Sequence, residues 1–334
     1  MHRIVLISPL ILLYFSSIAQ PNEMNISYDS SAQVHAFDST AKLRVNQIII
    51  TGNRKTKDYI ILREMHIKAG DMIKIDKLNY ELEKAKEYVY NTTLFVEVTV
   101  EPLVKNAFEI DILVTVKERW YIFPLPIFEL VDRTFNEWIV KHNGSLDRVN
   151  YGLRFTDNNV SGRKDEFRLN LINGYTKQAS IYYDQPYANP SLTNGFNVGA
   201  GFEKNREMAY KTDYNNYFQY YNKPGFVEDS WFVSAGFAIR KAIKKKHIFN
   251  LRYSHITVAD SVITENLNPR YFNTNSSGKG FIDFSYSYRY TDVNNILYPL
   301  SGVSGSFTIQ KRGLGLRGGI NMFSVDGSYN RYWG

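Results

Sequence analysis

KERWYIFPLPIFELVDRTFNEWIVKHNGSLDRVNYGLRFTDNNVSGRK, residues Lys117–Lys164, is the stretch on which the reading of the whole chain turns. Before it the sequence mixes helical and strand periods; after it strand follows strand, rich in tyrosine. Trp120, Tyr121, Phe123, Pro124, Pro126 and Phe128 cluster between these unlike halves, with Trp138 further on. A ring with one apolar and one wet side suits the boundary between bilayer and water, which makes Trp120, Tyr121, Phe123 and Trp138 the candidate interface aromatics. Residues 120–148 are expected to be a rigid joint between two domains.

Upstream, residues 43–119 read as strand, helix, helix, strand, strand. RVNQIIITGN is β-rich and stops at the turn signal Gly52-Asn53. A short helix is expected from Thr56 or Lys57 to His66. A second follows, capped by Asp76, in which Leu78, Leu82, Ala85 and Val89 form one apolar stripe. Val96, Val98 and Val100 alternate with Glu97, Thr99 and Glu101, and Phe108, Ile110, Ile112, Val114 and Val116 alternate with polar positions. The two helices are expected to cover one face of a three-stranded sheet. Residues 20–42 are polar and aperiodic, a flexible leader. Residues 1–19 have the form of a signal peptide, with a basic start at His2 and Arg3, an apolar core and a small-x-small end at Ser17-Ile18-Ala19.

Downstream, residues 149–334 carry about ten runs of period two. The clearest are Phe167–Leu171, Phe196–Phe202, Val233–Ile239, Ile282–Tyr290 and Val303–Ile309; weaker ones lie near 149–156, 176–183, 212–221, 247–257 and 320–332. A soluble sandwich would alternate as well. The export signal, the aromatics at strand ends (Tyr182, Tyr183, Tyr187, Tyr298, Trp333 among them) and polar faces rich in Gly, Ser, Asn, Arg and Glu favour a membrane barrel.

Composition agrees and excludes little else. The chain has 334 residues, 25 Tyr and 21 Phe, a net charge of +7 and no cysteine, so disulfides and thiolate metal sites are ruled out. The charge is modest and points to no nucleic acid. The one basic run, Lys241–Lys246, is expected to be a solvated loop or strand end. Gly313, Gly315 and Gly318 match G-x-G-x-x-G, but a strand-like run follows them where a dinucleotide site needs a helix. The six histidines have no metal spacing, no G-x-S-x-G elbow occurs, and Asp165-Glu166 reads as solvated turn charge. No enzyme activity and no cofactor are expected.

The landmarks ITGNRKT, LREMHIKAGD, YNTTLFVEVTVEP and EIDILVTVKER, in that order, resemble a polypeptide-transport-associated (POTRA) repeat. RVNYGLRFTDNNVSGRKDEFRLNLING, YYDQPYANP and DVNNILYPLSGVSGSFTIQ resemble barrel segments of the BamA/TamA outer-membrane assembly factors, the first of them their opening hairpin. The fold class implied is an α+β POTRA module of order βααββ followed by an all-β antiparallel transmembrane barrel, with about ten of the family's sixteen strands. The family's sixth-loop motif, Val-Arg-Gly-Phe or Val-Arg-Gly-Tyr, is absent. Leu316-Arg317-Gly318-Gly319 lacks the aromatic, and the chain is expected to be a C-terminally truncated member.

By that resemblance, the edge strand Phe95, Val96, Glu97, Val98, Thr99, Val100 receives extended clients by β-augmentation, at an edge that Glu97 and Glu101 would equally keep soluble. Asn150, Tyr151, Gly152, Leu153, Arg154, Phe155 and Thr156 form one side of the barrel's closing seam, which templates insertion of client barrels. The implied partners are unfolded outer-membrane or secreted proteins, a bilayer containing lipopolysaccharide, and periplasmic or lipoprotein companions. The implied location is the outer membrane of a Gram-negative cell, with the POTRA domain in the periplasm. The alternative is a two-partner-type secretion pore, and a passive porin is a third reading.

Overall fold

The computed structural model describes residues 41–131, 134–212, 218–222, 225–314 and 320–334. The signal peptide, nearly all of the leader and the glycine-motif residues 315–318 lie outside them.

The first half forms β1 (Lys42–Thr51), α1 (Asp58–Glu64), β2 (Met72–Lys74), α2 (Ile75–Tyr90), β3 (Phe95–Val104) and β4 (Glu109–Glu118). The sheet has four strands in the order β2-β1-β4-β3, because the short β2 adds to the three expected. Strands β1 and β4 pair in parallel and β3 runs antiparallel to β4. The stripe on α2 faces the sheet as its spacing requires: Leu82, Ala85 and Val89 are buried and Leu78 packs beside them. Leu82 and Val89 each contribute roughly 1.5–3 kcal/mol of burial. Asp76 lies inside the first turn of α2, and Lys74 occupies the cap position without a side-chain bond. Asp76 therefore acts on the positive end of the helix dipole.

The expected alternation of Val96, Val98 and Val100 is broken. A β-bulge between Phe95 and Glu97 turns Phe95 and Val98 into the core and leaves Val96 exposed.

The second half begins earlier than expected. β5 (Ile122–Leu130) lies within the supposed joint and is the first strand of a ten-stranded sheet. After it come α3 (Phe135–His142), β6 (Val149–Asp157), β7 (Glu166–Gly174), β8 (Lys177–Gln185), β9 (Asn194–Asn205), β10 (Glu207–Thr212), β11 (Phe218–Asn222), β12 (Glu228–Ile239), β13 (Lys245–Val258), α4 (Asp260–Thr264), β14 (Gly278–Val293), β15 (Gly302–Arg312) and β16 (Met322–Tyr332). The sheet order is β16-β15-β14-β13-β12-β9-β8-β7-β6-β5, and every neighbouring pair is antiparallel. The run near 212–221 forms a separate two-stranded sheet, β10 with β11. Among the described residues this sheet still has ten strands, because the joint supplies one and the hairpin removes one.

The cross-strand register sorts the side chains. One face carries Leu153, Leu171, Ala179, Phe202, Trp231, Phe196, Val198, Val233, Ala235, Phe237, Leu251, Phe284, Ile309 and Val325, an apolar band that runs strand to strand across the sheet. The opposite face is polar: Arg168, Tyr182, Gly199, Ser234, Arg252, Asp283 and Arg312 are successive neighbours in one row. Among the described residues no helix is long and apolar enough to cross a bilayer.

Candidate functional site

The turns that follow β6, β8, β12 and β14 all lie at the end of the sheet where the chain enters it, and each touches the first domain. The β6–β7 turn is a docking element. Lys57 N–H donates to the Gly162 carbonyl at 3.0 Å, the Asn159 amide donates to Thr56 Oγ1 at 3.0 Å, and Lys55 pairs with Asp157 at 3.2 Å. Gly162 has φ +81°, and a Cβ there would stand 2.1 Å from the Lys55 carbonyl oxygen, so only glycine permits this approach. Asp165 holds the turn. It is fully buried and accepts bonds from Ser161 N–H, Ser161 Oγ and Tyr183 OH, which replaces the solvated acid expected from sequence.

A second anchor joins α1 to the β8–β9 and β12–β13 turns. Glu64, 1% exposed, takes both nitrogens of the Arg240 guanidinium, one of them at 2.8 Å, and the Tyr187 hydroxyl donates to it. Arg63 adds bonds to the carbonyls of Leu192 at 2.9 Å and Arg240 at 2.5 Å. Burial by itself would raise the Glu64 carboxyl, but the charge and hydrogen bonds of Arg240, with Lys164 and Tyr187, overcome it and hold the group at about 2. Burial and the Glu64 charge push the Tyr187 phenol well above its ordinary value. A third anchor lies at the end of α2: Asn91 donates to the Val293 carbonyl and accepts from Ile296 N–H, both at 2.8 Å.

Among the described residues β2, β3, β5 and β16 end the two larger sheets with a partner on one side only, and of these β3 and β5 both start at this junction. Backbone hydrogen bonds fix which amides face outward. Lys105 N–H donates to Glu109, so the odd residues of β3 face β4 and the amides of Val98 and Val100 face the free edge, with Pro102 beyond them. Asn158 N–H donates to Tyr121 and Val131 N–H to Arg148, so the odd residues of β5 face β6, and the even positions, Pro124 and Pro126 included, face away. A proline fits a strand only where its missing N–H faces no ladder partner.

Between the domains lies a cavity of about 450 Å³. Its lining holds seven basic side chains, Arg119, Lys164, Arg240, Lys244, Lys245, Lys246 and Arg289, against the acids Glu64, Glu166 and Asp184. Arg240 is satisfied by Glu64, and Lys244 by Asp292 at 2.8 Å. Lys164, Lys246 and Arg289 have no ion-pair partner among the described residues. Burial draws the Lys164 ammonium down to about 8, with Arg240 and Lys246 opposing the pull of Glu64.

The sequence profile of the POTRA family, described as surface antigen variable number repeat, matches residues 43–119. The outer membrane protein assembly factor BamA of Nitratidesulfovibrio vulgaris is 35% identical over 105 residues, which cover 29% of this chain and 13% of that protein. Residues 43–119 are a POTRA domain. Among solved structures, BamA from Haemophilus ducreyi lacking POTRA domains 1-3 overlays with a TM-score of 0.47 at 17% identity, covering 86% of this chain and 51% of that one. CdiB from Acinetobacter baumannii overlays with a TM-score of 0.41 at 12% identity, covering 86% and 48%. The chain thus spans about half the length of these solved relatives.

Phe95, Val96, Glu97, Val98, Thr99 and Val100 open β3, which ends its sheet and has outward donors at Val98 and Val100. The seam strand does not. Asn150, Tyr151, Gly152, Leu153, Arg154, Phe155 and Thr156 lie in β6, bonded on both sides to β5 and β7, and cannot be an edge. The first strand is Ile122–Leu130, and the hairpin read as the opening one is the second. The interface aromatics scatter too. Tyr121 is buried in the POTRA core, its hydroxyl donating to Leu94 O at 3.0 Å. Phe123 lines the basic cavity, and Trp120, 72% exposed, stands at its rim. Trp138 sits at the opposite end of the sheet, edge-on to Phe128. Tyr187 belongs to the Glu64 anchor and Tyr182 to the polar face. The Lys241–Lys246 run is a turn and strand start whose last three lysines line the cavity.

The polar face of the sheet lines a second cavity of about 680 Å³. Three arginines there lie over rings: Arg252 over Phe232 at 3.7 Å, Arg168 over Tyr182 at 5.2 Å and Arg312 over Phe281 at 5.7 Å. No sequence motif marks them, because each partner comes from a neighbouring strand.

Proposed function

We propose that this protein is an outer-membrane assembly factor whose POTRA edge β3 receives unfolded clients and whose strand β5 templates their insertion. One observation carries the reading. A POTRA domain anchored at several turns to the mouth of an apolar-faced sheet holds two free strand edges in succession along the chain. Edge backbone is sequence-blind, which suits a receptor for many clients. The apolar band supports placement of the sheet in a bilayer, where every backbone group needs a partner and an unpaired edge favours strand addition. By the same reading the POTRA domain lies in the periplasm, the partners are unfolded barrel proteins and the surrounding lipid, and no bond-making chemistry or cofactor takes part.

The second reading is a secretion pore that passes an exported chain along the polar face, favoured by the arginine-lined cavity. Deleting residues 43–119 from the intact protein in vesicles distinguishes both from passive conduction. Assembly or secretion is expected to cease. Client insertion undiminished by the deletion would refute a POTRA-dependent function.

A further inference from the structure

At the end of the sheet away from the POTRA domain, the chain does not turn straight from β5 into β6. It first forms α3, and both ends of that helix are closed by their own residues. Thr134 Oγ1 accepts from Glu137 N–H at 3.2 Å at the start. Asn143 ends it in the left-handed conformation, φ +49°, and Gly144 N–H donates to the Trp138 carbonyl at 3.1 Å. Phe135, Trp138 and Ile139 fall at i, i+3 and i+4 and share one face of the helix. Glu137 and Lys141, paired at 2.7 Å, share the opposite face, with Val140 on the flank.

The apolar face is held in place and left open. The Trp138 indole N–H donates to the Ser145 carbonyl at 2.9 Å, and its ring stands edge-on to Phe128 and beside Phe135, with centroids 6.3 and 5.3 Å away. Phe135 is nevertheless 58% exposed and Ile139 47%. Phe128, which joins the helix to the sheet, lies opposite Tyr151, on the side of β6 that carries Leu153. It therefore belongs to the apolar band, and α3 continues that band past the last residues of β5.

We propose that α3 is an interfacial anchor, lying flat at the outer boundary of the bilayer with Phe135, Trp138 and Ile139 among the lipids and the Glu137–Lys141 pair in water. The proposal rests on the reading above that places the apolar face of the sheet in a bilayer. It adds a fixed water line beside β5. Three observations favour lipid as the occupant of this face. The face is continuous with the band through Phe128, so one apolar solvent wets both. The charges of the helix lie opposite it, as an amphipathic helix in the plane of a membrane requires. The tryptophan presents its ring to the apolar side and spends its polar N–H on a backbone carbonyl, which suits the interfacial belt.

The position gives the anchor a purpose. β5 is bonded on one side only among the described residues, and Pro124 and Pro126 face its open side. A strand held by a single neighbour is the one most in need of a further constraint. α3 is the next element in the chain, so anchoring it pins the outer end of β5 at a set depth and leaves the open side uncovered.

The test uses the absence of native cysteine. Single variants Ile139→Cys, Lys141→Cys and Val233→Cys of the full chain are labelled with an environment-sensitive fluorophore and reconstituted in phosphatidylcholine vesicles. The acyl chains are brominated either near the headgroup or near the chain end. The label at Ile139 is expected to be quenched roughly twofold more by headgroup-proximal than by deep bromines, and the label at Lys141 hardly at all. Val233, in the middle of the apolar band, reports the bilayer itself and should be quenched most by deep bromines. Adding Phe135→Asp should cut the quenching at Ile139 by about half and leave Val233 unchanged. Quenching at Val233 with none at Ile139 would overturn the anchor and leave the bilayer placement standing; so would a label at Ile139 shielded from water but insensitive to bromine, which would mean that protein covers the face. Indifference of the Ile139 label to Phe135→Asp would also overturn it. Quenching at neither position would overturn the bilayer placement and, with it, the anchor.

Discussion

Arg240→Ala removes the guanidinium that covers Glu64 and should detach the POTRA domain from the sheet. Glu64 is 1% exposed and its oxygens are committed to Arg240 and Tyr187, so the variant leaves a buried carboxylate with one phenol bonded to it and only the Lys164 charge to offset its own. Breaking a buried pair from one side costs about 3–5 kcal/mol. A second route gives the same scale: a carboxyl held at about 2 against an ordinary 4.5 corresponds to about 3 kcal/mol at roughly 1.4 kcal/mol per tenfold. The reporters are amides that exist only when the domains are docked, Lys57 N–H on Gly162 and Ile296 N–H on Asn91. Their hydrogen exchange at pH 7 should accelerate about 100-fold in Arg240→Ala, the equivalent of about 3 kcal/mol.

The pH dependence has a definite sign. In the unaltered protein the lowered carboxyl contributes stability that is fully present above 4.5 and lost as pH falls through about 2, so protection corrected for intrinsic exchange should be flat from pH 7 to 5. Without Arg240, burial raises the carboxyl, protonation relieves it, and protection should return as the pH is lowered from 7 to 5. Protection in Arg240→Ala equal to that of the parent at pH 7, or a loss that acid does not reverse, would refute the reasoning.

Other outcomes follow from the same geometry. Gly162→Ala places a Cβ 2.1 Å from the Lys55 carbonyl and should weaken docking by about 1–3 kcal/mol, read at the same two amides. Phe237→Arg on the apolar face should cost up to about 2–4 kcal/mol in a bilayer refolding titration, whereas Ser234→Arg on the polar face should be tolerated. Val100→Pro removes an outward amide of β3 and should abolish crosslinking of client peptide to that edge, while Glu97→Pro, whose amide faces β4, should instead lower POTRA stability.

Most of the strands were legible because a sheet with one apolar and one polar face imposes strict alternation, as in Phe196–Phe202 and Val233–Ile239. The POTRA helices were legible for the same kind of reason, a stripe at Leu78, Leu82, Ala85 and Val89. β5 escaped because IFPLPIFEL contains two prolines, which read as a linker; they are admissible only because their nitrogens face a free edge, and that depends on sheet order. The β10–β11 hairpin was mistaken for a barrel strand because its weak alternation belongs to a pairing outside the main sheet. The bulge at Val96 left no mark in a run that alternates perfectly. The Glu64 anchor joins residues 176 positions apart and the cavity gathers cations from several turns, so neither has any local signature.

The most direct test of the central claim places a photo-crosslinking residue in turn at Val96 beside the POTRA edge, at Phe128 on the free edge of β5, and at Arg252 on the polar face, in the intact protein supplied with an unfolded barrel client. Edge-templated assembly requires crosslinks at Val96 and Phe128 and little at Arg252. Crosslinks confined to Arg252, with both edges silent, would contradict it and identify a chain passing along the polar face.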